Sequence, residues 1–502
     1  MESLKVDFRS PQRQSRVAIG IILIKFIKGT IKGFWPILLS LFIGRKAGST
    51  FQDVIGYVVL GFAAFNLIGS VLTYFRFYFH LENNSIVIDK GILRRTKTNI
   101  PFERIQTINF TQNILHQLFN VVGVEIDTAG AGKAEISIDA LNKEDANALR
   151  EYILAEKEQL TANNAPASDL VEPAEKEAPQ LLLQLKPLDL LKVGISQNHL
   201  RSMGIIFVFV FSTINEITDN ISDIVADQFT QYEGYLINNT LFVFLTSAIL
   251  VIIIAFLFSL ISTLLQYFDL KLWISKKGLK LVRGLLNREE ISINTHKVQL
   301  VSWSTNPIRR LFKIYTLQIA QASSSEVNVQ KSKINVPGSY KHQIAQVIKM
   351  VFPTEYSGNE QKHALSKLVK QRIILFLGVI PSLLGLSTWY WSGIECLYFL
   401  IALPFSMTIA YLYYKKNSYE INDELIRSNS GIVGTEHLLT QIHKVQVVKI
   451  SQSIYQRRKK LASLKLYTAA GEMSIPFITI SEALAIENFV LYRVETDKRE
   501  WM

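Results

Sequence analysis

The stretch Asp89–Phe119 reads DKGILRRTKTNIPFERIQTINFTQNILHQLF. It returns as VRGLLNREEISINTHKVQLVSWSTNPIRRLF at Val282–Phe312 and as NSGIVGTEHLLTQIHKVQVVKISQSIYQRRK at Asn429–Lys459. In each copy a glycine (Gly91, Gly284, Gly431) is followed 15 positions later by a glutamine (Gln106, Gln299, Gln446), with no gap needed. Self-similarity of this kind marks a repeat architecture and is settled before any single copy is read. Within each copy, alternating segments such as SIVIDKGIL, LKLVRGLL and ELIRSNSGIV predict strands meeting at a glycine-containing turn, where positive φ is cheapest for glycine. Further strands follow, and each copy closes on an amphipathic helix: NKEDANALREYILAEKEQL, GSYKHQIAQVIKMVF or SEALAIENFVLYRV. The expected unit is a small β sandwich or barrel capped by a C-terminal helix.

Working outward, each unit follows a pair of apolar segments. These lie at about 17–44 and 54–75, 202–218 and 238–265, and 373–390 and 394–413. Segments of this length are candidate membrane spans. The expected fold class is an α-helical membrane protein with about six transmembrane helices in three hairpins, bearing three α+β soluble domains. The divisions run 1–75 (first hairpin), 76–157 (first domain), 158–185 (linker), 186–266 (second hairpin), 267–352 (second domain), 353–413 (joint and third hairpin) and 414–502 (third domain). The linker contains TANNAPASDLVEPAEKEAP, rich in Ala, Pro and Glu and without periodicity.

Composition agrees with a membrane protein that carries domains between its spans. Of 502 residues, 49% are hydrophobic, and the net charge is +12. With spans present, that charge is read as facing lipid headgroups rather than nucleic acid. The second copy is the most basic for its acidity, with 14 Lys and Arg against 4 Asp and Glu in 267–352. Basic residues cluster at the domain ends of the apolar segments, while the loop of the second hairpin carries Glu216, Asp219, Asp223, Asp227 and Glu233. By the positive-inside rule the domains and both termini are expected in the cytoplasm. In that acidic loop Ile214, Ile217, Ile221, Ile224, Val225 and Phe229 recur at helical spacing. One cysteine, Cys396, excludes an internal disulfide.

A hydrophobic hairpin, a small β domain with a terminal helix, and the IQ or VQ step after a turn glycine together resemble the bacterial pleckstrin-homology-like "membrane-flanked domain" family in its three-copy form. The resemblance covers nearly the whole chain. It implies the pleckstrin-homology-like fold, a bacterial plasma membrane location and often a companion protein with a single copy of the domain. It supplies no catalytic activity. One departure is that copies one and two end the quoted stretch on Leu118-Phe119 and Leu311-Phe312, where copy three has Arg457, Arg458, Lys459 and Lys460.

The candidate contacts for lipid phosphate or a partner are the basic residue before each glutamine step (Arg104, Lys297, Lys444), together with Arg309, Arg310 and the Arg457 to Lys460 run, since Arg and Lys are the natural phosphate donors. The alternative reading of the first three is a solvated strand end. Gly91, Gly284 and Gly431 are expected to fix turns, and the three glutamines to satisfy backbone groups at a strand end. Lys25, Lys28 and Lys32 share one helical face. They form either an intramembrane basic stripe or the polar side of an interfacial helix. No cofactor or metal site is expected: His437 and His443 match no helix-borne metal pair, Glu289-Glu290 reads as part of a solvent strand, and no P-loop, dinucleotide or nucleophile-elbow motif occurs. The expected role is a non-enzymatic membrane scaffold binding partner proteins and anionic headgroups. The alternative is a transport or export component for a lipid or peptide.

Overall fold

A computed structural model describes residues 7–29, 50–92, 94–128, 136–164, 179–199, 204, 240–275, 278–322, 333–352, 362–497 and 499. The isoleucine-rich acidic loop, Lys32 and the middle of the linker, residues 165–178, lie outside them.

Copy one supplies strands β1 (Tyr78–Glu82), β2 (Ser85–Lys90), β3 (Thr96–Pro101), β4 (Ile105–Gln112), β5 (Val121–Thr128) and β6 (Ile136–Asn142), closed by a helix at Lys143–Asn164. Copy two begins earlier than its periodic pattern suggests, with β7 (Gln180–Gln184) ahead of its membrane segment. It continues through β8 (Lys271–Ser275), β9 (Gly278–Arg283), β10 (Arg288–Asn294), β11 (Val298–Thr305), β12 (Tyr315–Gln321) and β13 (Lys333–Ser339) to the helix Lys341–Val351. Copy three has β14 (His363–Ala364), then β15 (Ser418–Ile421), β16 (Leu425–Ser430), β17 (Thr435–Gln441), β18 (Val445–Ser451), β19 (Leu461–Thr468), β20 (Gly471–Thr479) and the helix Ile480–Thr496. The last of these helices opens on a capping box in which Thr479 and Glu482 exchange hydrogen bonds with each other's backbone.

In all three copies a segment that precedes the membrane helices returns to pair with the first strand after them. β7 pairs with β8 and β14 with β15. In copy one Gln12 bridges Phe79, and Phe8 accepts a bond from the Leu81 amide at 2.8 Å. The 158–185 linker is therefore partly sheet: Leu181, Leu182 and Leu183 form an apolar run short enough for a strand.

The sheets do not stop at copy boundaries. Their orders are β1-β2-β3, then β6-β5-β4-β10-β9-β8-β7, then β13-β12-β11-β17-β16-β15-β14, then β18-β19-β20. The latter half of each domain thus continues into the first half of the next. Between copies two and three, β11 pairs with β17 from Leu300↔Thr440 to Thr305↔Thr435. Between copies one and two, β4 pairs with β10 over Phe110↔Glu290, Thr111↔Glu289 and Gln112↔Arg288. Counted from the glycine and the glutamine of the repeat, the two registers are the same. Cores are shared at the second junction: Leu425 and Leu439 of copy three pack in the core of copy two, and Leu300 and Ala320 of copy two pack in that of copy three. Copy one keeps a core of its own, around Phe79, Phe102 and Ile126.

The membrane portion corrects the expected fold class. Among the described residues three helices are long and apolar enough to cross a bilayer, Ala248–Gln266, Leu368–Ser387 and Gly393–Lys416, and Gly61–Phe75 is a shorter apolar helix. Six transmembrane helices in three hairpins are not supported. The reason is visible in the first pair. Its leading helix (residues 18–29) spends Ala18, Ile21 and Ile22 on contacts with Tyr74, Val121 and Ala140 of the first unit, so its apolar face covers protein. In the following helix, Thr50–Phe75, Gln52 and Asp53 lie in the first turn, ahead of the uncharged stretch 54–75. Leu368–Ser387 and Gly393–Lys416 do form a hairpin. Gly378 faces Ser406, Gly385 leaves room for the Phe399 ring, and the Ser382 hydroxyl donates to the Phe399 carbonyl at 3.0 Å.

Candidate functional site

The repeated positions divide between the junctions and a rim where each domain meets its membrane helix. Arg104, Lys297 and Lys444 each end a single 3-10 turn, at Phe102–Arg104, Thr295–Lys297 and Ile442–Lys444. Lys297 and Lys444 are only 8% and 4% exposed. The Lys444 ammonium crosses to copy two and donates to the carbonyls of His296 at 3.0 Å and Val298 at 2.7 Å. Burial pulls both lysines down to about 8; Asp127 of copy one opposes the shift at Lys297, whereas Arg499 adds to it at Lys444. Two of the three basic steps are thus placed at junctions rather than on a headgroup-facing surface. Arg104, in copy one, is exposed. The glutamines grade differently: Gln299 is fully buried, Gln106 half-buried and Gln446 exposed.

The two junctions differ in chemistry. At the first, Glu290 is held between Arg150 at 2.5 Å and Lys280 at 2.8 Å, and the Arg150 guanidinium lies 3.6 Å from the centroid of Phe110. Glu289 pairs with Arg283. Glu290 is consequently an interdomain ion-pair site, Glu289 is paired within copy two, and neither lies on a free solvent strand. The Ser292 amide adds a bond to Asn109 Oδ1 at 3.0 Å. At the second, the aromatic position equivalent to Phe110 is Trp303, stacked on His437 with centroids 5.2 Å apart and with Arg427 over its other neighbourhood at 5.1 Å. Burial first, then Arg427 and Lys362, hold His437 down at about 4.

That shift has a sign. His437 stays neutral in the fold while a free imidazole protonates near 6.5, so its contribution is complete above 6.5 and is lost as pH falls toward 4. Between pH 7 and 4.5 the thermal midpoint of the purified protein is expected to fall further for the wild type than for His437→Gln. Parallel curves would show that His437 is not the acid-sensitive group.

The rim is built from two loops. In the first, the repeat glycines take φ of +117°, +100° and +149°, and a Cβ on each would sit 2.0, 2.0 or 2.3 Å from the carbonyl oxygen three residues on. The turn is therefore closed to any side chain at that position. It hooks onto the end of the membrane helix. The amides of Gly284 and Leu285 donate to Phe268 and Leu265, and Asn417 and Lys416 donate to Gly431 and Val433. The residues after the glycine, Ile92, Leu285, Leu286, Ile432 and Val433, are exposed apolar groups.

In the second loop, a one-turn helix after β4, β11 or β18 (Ile114–Leu118, Pro307–Leu311, Ile454–Arg458) is capped by Asn113, Asn306 or Ser453, each accepting from an amide three residues on. Its outer side exposes Leu118 and Phe119, Ile308 and Leu311, and Ile454. Beside these stand exposed Arg310 and, in copy three, exposed Arg457, Arg458, Lys459 and Lys460. Arg309 turns inward, donating to Gln197 Oε1 at 2.7 Å. Gln117 of copy one reaches the Leu285 carbonyl of the copy-two turn at 2.8 Å, so neighbouring rims touch.

Sheet halves, terminal helix and rim recur together, and the bacterial PH domain family matches this chain at residues 23–157, 235–350 and 373–494. The chain belongs to the bacterial PH domain family. It is also similar to the UPF0699 transmembrane protein YdbT of Bacillus subtilis (strain 168), 25% identical over 470 residues that cover 90% of this chain and 92% of that protein. Among the described residues three helices are long and apolar enough to cross a bilayer, and the similar protein is named a transmembrane protein, so this PH-domain chain is associated with a membrane.

The basic stripe is resolved in part. Lys25 pairs with Asp139 on β6, which puts its ammonium against the first PH domain, and Lys28 is exposed. Cys396 is a buried free thiol. An apolar cleft of about 340 Å³ opens at the base of the third hairpin between Val369, Phe376, Ile432 and Phe477, with Arg372 over the Phe477 ring at 5.1 Å. The sequence did not signal this cleft, because its lining is drawn from four separate segments.

Proposed function

We propose that the protein is a non-enzymatic scaffold in the bacterial plasma membrane, its PH domains on the cytoplasmic side, holding anionic lipid and partner membrane proteins, among them a companion with a single domain copy. The rim carries this reading: exposed apolar residues interleaved with Arg and Lys next to the ends of membrane helices match a surface that lowers its apolar tips into the interface and its cations among phosphates. The Arg372 cleft, apolar with one cation, has the same chemistry on a smaller scale. A transport path would require a polar cavity between spans, whereas Gly378 and Gly385 close the third hairpin around Ser406 and Phe399.

Native mass spectrometry of the detergent-purified chain tests the lipid part. Phosphatidylglycerol is expected to be retained over phosphatidylcholine, and increasingly lost as salt rises. The combined Arg457→Gln, Arg458→Gln, Lys459→Gln and Lys460→Gln variant is expected to bind at least about tenfold less, given ~1 kcal/mol per well-placed basic residue. Salt-indifferent retention, unchanged in the variant, would remove headgroup electrostatics from the proposal.

A further inference from the structure

The same junction is made twice inside the chain, in one register, and each end of the array carries an unused half of it. The leading half is the outer edge of β3, equivalent to β10 and β17. The trailing half is the outer edge of β18, equivalent to β4 and β11. Among the described residues β3 pairs only with β2, and β18 only with β19.

Burial registers the difference. In β11, covered by copy three, all of Val298–Thr305 is buried except Ser304. In β18 only Val445 is buried, and Val447 is 53% exposed. Val447 stands where Leu300 stands in copy two, and Leu300 is packed in the core of the following domain. An edge of this kind is a template for another strand.

We propose that a second copy of this chain occupies it, with β18 of one chain pairing antiparallel to β3 of the next. Continuing the internal register sets Val447 opposite Ile100, Lys449 opposite Thr98, Ile450 opposite Lys97 and Ser451 opposite Thr96. No like charges face each other in these pairs. Pro101, which has no amide to donate, falls just past the paired stretch. The exposed copy-three rim helix would meet the Gly91 turn as Gln117 meets the Leu285 turn. A second copy is the occupant because one chain presents both halves. The contact is heterologous and repeats head to tail, giving a ring if the rotation closes and a row in the membrane if it does not. The inference stands independently of lipid binding.

Disulfide trapping in native membranes tests it. On a Cys396→Ser background, the pair Thr98→Cys and Lys449→Cys is expected to give a ladder of chain multiples on a non-reducing gel, while Thr98→Cys with Ser451→Cys, two residues out of register, gives none. Since Val447 is exposed, Val447→Lys leaves the fold intact. Added to the trapping pair it is expected to abolish the ladder, with the thermal midpoint unchanged. Absence of a ladder from the in-register pair, equal ladders from both pairs, or capture of a protein of another size would each overturn the assignment to a second copy.

Discussion

Leu439→Asp is expected to unfold copies two and three together while leaving copy one folded. Leu439 is fully buried in β17, opposite Val301 of β11 on one side and Arg427 of β16 on the other, and its side chain belongs to the core of copy two. The nearest cation, Arg427 across the strand, is already paired with Glu420 at 3.2 Å, so a carboxylate there has no free partner and breaks the packing of two domains at once. Burying an unpaired charge of this kind costs several kcal/mol, and effects above about 4 kcal/mol are at the extreme of single substitutions. Limited proteolysis of the purified protein reads the outcome by fragment. Cuts are expected throughout the PH regions of copies two and three, with the first PH domain protected by its separate core. If copy three were digested while copy two stayed resistant, the shared core would be the wrong account.

Trp303→Ala is expected to lower stability by about 3 to 5 kcal/mol, the usual cost of emptying a large aromatic site. Trp303 is 9% exposed and lies under Arg427 and against His437. Its loss also opens His437 to water, so the variant is expected to lose stability less steeply than the wild type between pH 6.5 and 4.5. Denaturant melts at two pH values measure both effects. A drop of less than about 1 kcal/mol would mean that the strands hold without the stack.

The repeat was legible because its signal is local. A turn that excludes Cβ must keep glycine at Gly91, Gly284 and Gly431, and the strand that follows must keep its length, which preserves the interval to the glutamine. The joining of copies left no such trace. An edge strand that pairs with its own domain and one that pairs with the next alternate in the same way, so nothing in THKVQLVSW announces that β11 is covered and nothing in IHKVQVVKI that β18 is open. Lys444 read as a surface residue because charge alone does not reveal two carbonyls waiting across a boundary, and Lys297 because charge alone does not reveal burial beside copy one. The count of spans failed for a related reason. Ala18, Ile21 and Ile22 are as apolar as residues facing lipid, and only the partner surface shows that they face protein. At the rim, the basic run Arg457 to Lys460 was readable as composition and Ile454 lies on the same short helix, whereas the exposed Ile432 and Val433 belong to a separate loop, the glycine turn.

The shared cores at the second junction also bear on how this molecule is counted. Copies two and three cannot dissociate, exchange or be diluted apart, because one polypeptide holds each half of their interface at fixed and high local concentration. What other proteins reach by association, with a stoichiometry that follows expression level, is here written into the gene: three units, in one order, delivered to the membrane at the same moment.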